Sequence, residues 1–128
     1  VCRDRGVVLL PFFPLESGLL TGKVTGDVAP SGTRLADWPA ARVDEFMSEL
    51  KLRTVARLHD WVRHRGRTLL ELAFCWLLMR DEVPSVIAGA TSPEQLLANA
   101  GSAGWRLKDI EMSEVDDILR TDPGPPTA

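Results

Sequence analysis

The feature that most constrains the fold is the small number of segments able to form buried β-strands. Two short apolar runs qualify, at residues 7–13 and 85–88, because such runs are typical of strands covered on both faces. Pro11 lies inside the first run and removes one amide donor, so we expect that strand to bend or to end early. Two strands do not form a stable sheet by themselves. The chain is therefore predicted to be a piece of a larger fold.

Helical patterns fill the space between and after the two runs. Apolar residues recur with a period close to 3.6 over residues 44–64, which predicts one helix there. Thr68 and Glu71 form a capping-box pattern that opens a second helix. That helix is almost wholly apolar, so it needs cover on most of its surface. Two further helices are predicted, over residues 93–100 and, capped by a serine, over residues 114–120.

The order of these elements indicates the fold class. Strands that alternate with helices predict a parallel sheet with right-handed crossovers, and hence an α/β fold. Residues 24–41 are rich in Gly, Pro, Thr, Ser and Asp and are predicted to be a long loop, and residues 101–112 are predicted to be irregular. We assign residues 1–121 to part of one domain and residues 122–128 to a flexible tail.

Composition and charge argue against several classes of protein. The formal net charge is −3 and the basic residues are dispersed, which argues against a nucleic-acid-binding surface. No apolar stretch is long enough to cross a bilayer, and the first residues do not resemble a signal peptide. The two cysteines are too few for a disulfide framework, so we expect a cytoplasmic protein. His59 and His64 do not share a helix face, so we expect no metal site.

The segment PSVIAGATSPEQLLAN, residues 84–99, passes abruptly from the second predicted strand into a helix. Gly89 allows a tight turn or the close approach of another group. Ser92 suits the N-cap, Pro93 suits the first helical position, and Gln95 completes a capping-box pattern. The free N–H groups and the positive dipole end favour a phosphate or another anion at this point. The alternative is an ordinary capped turn that binds nothing.

Four segments in a consistent order resemble the C-terminal part of aldo-keto reductases. They are PLESGLLTGK at 14–23, GTRL at 32–35, ELAFCWLL at 71–78 and SVIAGATSPEQLLAN at 85–99. The resemblance is to the branch that includes potassium-channel β subunits and many bacterial reductases, and it covers roughly residues 3–120. It implies the C-terminal portion of a (β/α)8 TIM barrel, with strands 7 and 8 and their helices. The barrel in this chain would be incomplete.

The resemblance implies that the intact protein transfers hydride from NADPH to an aldehyde or ketone, with NADH not excluded. In that family the loops after strands 7 and 8 bind the cofactor. Phe12 matches an aromatic position that stacks on the nicotinamide, and Pro14, Leu15 and Ser17 match positions that line the pyrophosphate. Lys23 matches a basic position on the flap that closes over the phosphates.

The rest of the implied cofactor site lies at the end of that flap and in the second loop. Arg34 matches another basic position of the flap. Gly89 and Thr91 match positions near the adenosine 2′-phosphate, and Gln95 and Asn99 match positions towards the adenine and ribose.

These positions also have structural explanations. Phe12 at a strand end can belong to the core, and Lys23 and Arg34 can be solvated charges of a polar loop. Gln95 has a complete role in the capping box, and Asn99 can form a local helix hydrogen bond.

The chain also departs from the family pattern. Ala98 stands where a glutamate commonly contacts the adenine amino group, and Pro11 stands where the family strand has an amide donor. The family's catalytic Asp, Tyr, Lys and His come from earlier strands, and this chain has no Tyr, so no catalytic residue is assigned here. The resemblance therefore implies the cofactor-binding part of a reductase. The alternative is a non-catalytic nucleotide-binding or interaction module. Either needs the N-terminal barrel half or self-association to complete its sheet.

Overall fold

The computed structural model describes residues 1–24 and 34–121, and within these ranges all regular secondary structure is helical. The α-helices are α1 (Cys2–Arg5), α2 (Ala40–Phe46), α3 (Glu49–Arg63), α4 (Leu69–Leu78), α5 (Pro93–Gly101) and α6 (Asp109–Arg120). Short 3₁₀ segments lie at Glu16–Thr21, Arg34–Asp37 and Ser102–Gly104. Most of the predicted long loop and the predicted tail at 122–128 lie outside the described residues.

The two predicted strands are extended segments without strand pairing. The amide of Leu9 donates to the Glu82 carbonyl at 2.7 Å, and the amide of Ile87 donates to the Pro11 carbonyl at 2.8 Å. Both contacts advance in the same direction along the two segments, as they do in a parallel pair. Pro11 and Pro84 lack amide hydrogens, so a continuous ladder cannot form between them. The prediction of strands 7 and 8 is therefore not confirmed.

The helix predicted over residues 44–64 is two helices, which is a correction to the sequence interpretation. The helical conformation is interrupted at Met47 and Ser48. Ser48 has the extended ψ of 148° and occupies the N-cap of α3. Its carbonyl accepts the first hydrogen bond of α3, from the amide of Leu52 at 3.0 Å. Met47 is buried against residues that are distant in sequence, so a local periodicity does not reveal the break.

The last helix also begins earlier than predicted. Ser113 lies inside α6 and does not cap it, because the helix starts at Asp109. The amide of Lys108 donates to the Glu111 carboxylate at 2.8 Å, which satisfies one free donor at the helix start. The segment predicted to be irregular therefore contains a 3₁₀ turn and the first turn of α6.

The capping box at the start of α4 is confirmed. Thr68 Oγ1 accepts a hydrogen bond from the amide of Glu71 at 3.2 Å. In return, Glu71 Oε2 accepts a hydrogen bond from the amide of Thr68 at 2.8 Å. The apolar helix that follows is covered as expected, and its buried residues are Leu69, Leu72, Ala73, Phe74 and Cys75.

Two clusters of buried side chains hold the described residues together. The helical core joins α3, α4 and α6, and consists of Leu58, Val62, Leu69, Leu72, Cys75, Leu107 and Val115. The loop cluster consists of Leu19, Leu35 and Met47. It joins the first 3₁₀ segment, the second 3₁₀ segment and the break between α2 and α3.

Large apolar side chains remain exposed along the two extended segments and on α5. They are Val7, Val8, Leu9, Leu10, Phe12, Phe13, Ile87, Leu96 and Leu97. Their exposure contrasts with the helical core, where Val62 is fully covered. Over the described ranges, no helix combines the length and the apolarity needed to cross a membrane.

Candidate functional site

The loop after the first extended segment has a strained backbone. Glu16 and Ser17 have φ values of 44° and 54°, the left-handed conformation that non-glycine residues rarely adopt. Such a residue costs about 1–2 kcal/mol because its Cβ crowds the following carbonyl. The turn is closed by hydrogen bonds from the amides of Gly18 (2.9 Å) and Leu20 (3.2 Å) to the Leu15 carbonyl. Strain of this kind persists where surrounding contacts enforce it, and it clusters at functional sites.

Phe12 lies at the entrance to this loop with 67% of its surface exposed. Pro11, Phe13 and Pro14 line an apolar cavity of about 230 Å³ between the extended segment and the helices. Phe12 is not among the residues that line the cavity, and its ring lies 4.6 Å from the Phe13 ring, centre to centre. In the described residues Phe12 is therefore mostly exposed and is packed on one side by its neighbour.

The two basic candidates stand on either side of residues that the structure does not describe. Lys23 is exposed, and its amide donates to Thr21 Oγ1 at 3.3 Å. Arg34 begins the second 3₁₀ segment. The next residue, Leu35, is fully buried beside Leu19 of the strained loop. The loop cluster thus places the backbone of Arg34 next to the loop that carries Ser17.

The four candidates of the second loop are brought together by their own hydrogen bonds. The amide and the hydroxyl of Thr91 both donate to Gln95 Oε1, at 2.8 and 3.0 Å. Asn99 Nδ2 donates to the Gly89 carbonyl at 3.3 Å. These contacts fold the segment before α5 back onto the first turns of that helix. The side chains of Gln95 and Asn99 are one helical turn apart, and therefore lie on one face of α5.

The capping-box prediction for this helix is only half right. Ser92 Oγ accepts from the amide of Gln95 at 3.3 Å, so the N-cap is confirmed. The Gln95 side chain turns to Thr91 instead of returning to the amide of Ser92. Thr91 offers two donors, its amide and its hydroxyl, which explains why it competes well for that oxygen.

The amide groups that face outward give this surface a defined polarity. Since Gln95 Oε1 accepts from Thr91, the Nε2 of Gln95 is directed away from Thr91 as a donor. Since Asn99 Nδ2 donates to Gly89, the Oδ1 of Asn99 stays available as an acceptor. Gly89 has no left-handed φ, and a Cβ placed there meets nothing within 4 Å. A left-handed φ is therefore not what places a glycine here, and the space beside its Cα is open.

Sequence reasoning missed Glu94, an acidic residue in the first turn of α5. A hydrogen bond from the Ser92 hydroxyl, with a further one from its own backbone amide, lowers the pKa of the Glu94 carboxyl. A carboxylate here interacts favourably with the helix dipole. The helix end where an anion was predicted therefore already holds one negative charge. Its position in the first turn was the available sequence signal.

The helix α5 is anchored chiefly at its C-terminal end. It has no buried residue of its own. Ser102 donates its hydroxyl to the Ala98 carbonyl at 2.7 Å, and the buried Cys75 thiol donates to the Ser102 carbonyl at 3.1 Å. Burial raises the pKa of the Cys75 thiol, so Cys75 stays a protonated donor. The polar face that carries Gln95 is thus attached to the helical core without being covered by it.

Both candidate loops begin at the same edge of the molecule. The hydrogen bond between Ile87 and Pro11 holds the ends of the two extended segments side by side. Ligands of α/β barrels bind at the carboxyl ends of the strands, in the loops that follow them. Both candidate loops thus follow the ends of the two extended segments on one side of the molecule. Among the described residues, no group of His, Cys, Asp and Glu side chains is arranged to hold a metal ion.

Comparisons with known proteins identify the family. The chain belongs to the aldo/keto reductase family, whose model matches residues 1–120. It is 35% identical over 125 residues to the NADH-specific methylglyoxal reductase of Escherichia coli, and covers 36% of that protein and 93% of this chain. It is 31% identical over 120 residues to the L-glyceraldehyde 3-phosphate reductase of the same organism, covering 35% of that protein and 91% of this chain.

A solved structure shows the corresponding fold. The glycerol dehydrogenase of Gluconobacter oxydans matches 99% of this chain with a TM-score of 0.70 and 27% identity, over 38% of its own length. The described helices are therefore similar to part of a (β/α)8 barrel. The chain spans about a third of the length of the curated relatives it matches.

Proposed function

We propose that this chain is the cofactor-binding C-terminal part of an NAD(P)H-dependent reductase that converts an aldehyde or a ketone into an alcohol. The observation that carries the proposal is the second loop. There the contacts with Thr91 and Gly89 leave one amide donor, Nε2 of Gln95, and one amide acceptor, Oδ1 of Asn99, for a ligand. A purine edge carries the complementary acceptor and donor.

The residues of this chain would bind and orient the cofactor. When bound, the nicotinamide supplies the hydride, and the protein's task is to place it. Phe12 offers a largely exposed aromatic ring, on which a flat nicotinamide ring can stack. The left-handed turn at Glu16 and Ser17 can present backbone N–H groups to an anion, which suits a pyrophosphate, and the basic residues Lys23 and Arg34 follow it in the chain.

The remaining steps need residues from outside the chain. Protonation of the carbonyl oxygen requires a general acid, and the chain contains no Tyr to act as the family's acid. The exposed apolar side chains of the extended segments, such as Val8 and Leu10, also require cover. We propose that the rest of the barrel supplies both. We also propose a cytoplasmic location, since both cysteines, Cys2 and Cys75, are free thiols.

The alternative function is a nucleotide-binding or interaction module without catalysis. The exposed apolar side chains are compatible with this alternative, because they could be covered by a protein partner or by the missing part of a barrel. Alone, the chain is expected to self-associate or to behave as a molten species. Sedimentation should show oligomers, or the near-ultraviolet circular dichroism of its four tryptophans should be weak. A monodisperse monomer with sharp tryptophan signals would contradict the need for a partner.

The decisive experiment tests cofactor binding in a chimaera. The chain replaces the segment that it matches in the Escherichia coli methylglyoxal reductase, and we call this chimaera the completed barrel. Titration with NADH and NADPH, followed by protein fluorescence, should show saturable binding of at least one of them. A folded completed barrel that binds neither nucleotide would contradict the proposal. The comparison of the two nucleotides also identifies the preferred cofactor.

A further inference from the structure

The strained loop is tied to a distant helix by one ion pair. Lys51 Nζ, on the first turn of α3, lies 3.0 Å from Glu16 Oε1. Glu16 is the first of the two left-handed residues, so the pair acts at the point of strain. A left-handed non-glycine residue returns to ordinary backbone angles unless other contacts hold it. The Lys51 side chain supplies such a contact from outside the loop.

Lys51 is itself held in place by the helix before it. Its ammonium lies 4.0 Å from the centre of the Phe46 ring, at the end of α2. Phe46 in turn packs edge-on against Trp38, with ring centres 5.2 Å apart. Met47, between these helices, is buried with Leu19 in the loop cluster. The break between α2 and α3 is thus bound to the strained loop by both apolar and ionic contacts.

The ion pair also compensates the negative charge that Glu16 brings to the strained loop. Glu16 places a carboxylate one residue before Ser17, which the resemblance assigns to the pyrophosphate. An uncompensated carboxylate beside a pyrophosphate is repulsive. Lys51 offsets that charge while it holds the turn. Both side chains are 44% exposed, so the contribution of the pair is moderate and is screened by salt.

We propose that Lys51 is a positioning residue for the cofactor. Through Glu16 it holds the left-handed turn in the conformation that receives the pyrophosphate, and it cancels the adjacent negative charge. This inference rests on the proposed cofactor-binding function. The ion pair itself can be tested without any cofactor.

The experiment compares three substitutions in the completed barrel. Lys51→Met removes the charge and keeps most of the aliphatic chain, and Lys51→Arg restores the charge. Glu49→Gln is the matched control, because it weakens an ion pair with Arg53 (2.6 Å) on the same turn of α3, away from the loop. Amide hydrogen exchange of Gly18 is measured without cofactor, because its amide bond to Leu15 closes the turn. Nucleotide affinity and melting temperature are measured on the same samples.

We expect Lys51→Met to speed exchange at Gly18 and to weaken nucleotide binding, each by about two- to fivefold, the range of a half-exposed ion pair. Lys51→Arg should restore both values, and Glu49→Gln should change neither. Unchanged exchange in Lys51→Met would overturn the ion pair's role in the turn. Faster exchange with unchanged affinity would overturn its role for the cofactor. If the parent protein binds no nucleotide, the proposed function fails, and the exchange data still decide whether Lys51 holds the turn.

Discussion

The helices α4 and α5 begin with similar sequence patterns and end up in opposite environments. In α4 the capping box of Thr68 and Glu71 closes on itself, and five residues of the helix are buried. In α5 the N-cap Ser92 satisfies one amide, the Gln95 side chain turns elsewhere, and no residue is buried. The two patterns look alike because both are local, whereas burial depends on what packs against the helix.

This difference indicates that α4 contributes to the stability of the fold, whereas α5 is suited to binding a ligand. At the start of α4, Thr68 and Glu71 hydrogen-bond to each other, and buried residues of the helix belong to the helical core. Along α5, the contacts with Thr91 and Gly89 leave the Nε2 of Gln95 and the Oδ1 of Asn99 without a hydrogen bond to these partners, beside an open glycine, Gly89. Polar groups that are fixed in direction are suited to a ligand, because their ordering entropy is already lost before binding.

The largest expected effect is on carbonyl reductase activity, and it tests whether catalysis requires other parts of a barrel. The isolated chain should show no carbonyl reductase activity with NADH or NADPH, because cofactor placement without a general acid leaves the carbonyl unprotonated. The completed barrel should oxidise the nucleotide in the presence of methylglyoxal, as followed by absorbance. Sustained turnover in proportion to the isolated chain, after contaminating reductases are removed, would show that catalysis does not need the missing parts.

The next effect compares one leucine from each helix. Leu72→Ala in α4 leaves a cavity in the helical core and should lower the free energy of unfolding by about 2–5 kcal/mol. Leu97→Ala in α5, where the side chain is 72% exposed, should change it by less than about 0.5 kcal/mol in the completed barrel. Urea unfolding followed by helical circular dichroism measures both. Equal losses of free energy of unfolding in the two variants would mean that other residues cover Leu97 in solution. The contrast between a buried α4 and an exposed α5 would then be wrong.

Features set by neighbouring residues were predictable from the sequence. The Thr68 and Glu71 box, the Ser92 cap and the family resemblance all depend on residues within a few positions of each other or on ordered motifs. The break at Met47 was missed because it arises from burial against Leu19 and Leu35, which no local pattern records.

The extended segments and the candidate site illustrate the same limit. An apolar run indicates a strand only when other strands flank it, and here Pro11 and Pro84 leave the two segments with isolated hydrogen bonds. The sequence motif identified Gln95 as a candidate residue. It did not show that the Gln95 side chain accepts a hydrogen bond from Thr91 instead of from the amide of Ser92. The pairing of Glu16 with Lys51 joins residues far apart in the chain, so only the fold reveals it.

A smaller effect separates ligand binding from capping within α5. Gln95→Ala should lower stability by only about 0.5–1 kcal/mol, because Ser92 still caps the helix. Gln95→Ala and Asn99→Ala should each weaken nucleotide binding to the completed barrel by about 1–2 kcal/mol, or several-fold to about thirtyfold. Ser92→Ala is the control, since it removes the cap and leaves both outward amides, so it should lower the melting temperature with little change in affinity.

Fluorescence titration and melting curves on the same variants distinguish the outcomes. If Asn99→Ala binds the nucleotide like the parent protein and Gln95→Ala changes only the melting temperature, the loop before α5 is a structural cap. The proposed role of that loop in cofactor binding would then be wrong.

The smallest expected effect lies in the closed cap of α4 and concerns pH. Burial alone would raise the pKa of Glu71. Hydrogen bonds from the Thr68 amide, Arg67 and the Thr68 hydroxyl, together with the Arg67 charge, outweigh it and lower that pKa below its ordinary 4.5. A carboxylate with a lowered pKa in the folded state stabilises the protein above its ordinary pKa, and this stabilisation is lost as pH falls through the folded-state value.

Glu71→Gln keeps an oxygen that can accept from the Thr68 amide but removes the charge that pairs with Arg67 at 2.9 Å. At pH 7 the substitution should lower the free energy of unfolding by about 0.3–0.5 kcal/mol, as for other ion pairs one helical turn apart. Below pH 4.5 the parent protein loses the same contribution, so the difference between the two should shrink as Glu71 becomes protonated. Urea midpoints measured across this range provide the test. A difference that stays constant while the pH falls would mean that the charge of Glu71 is not what stabilises α4.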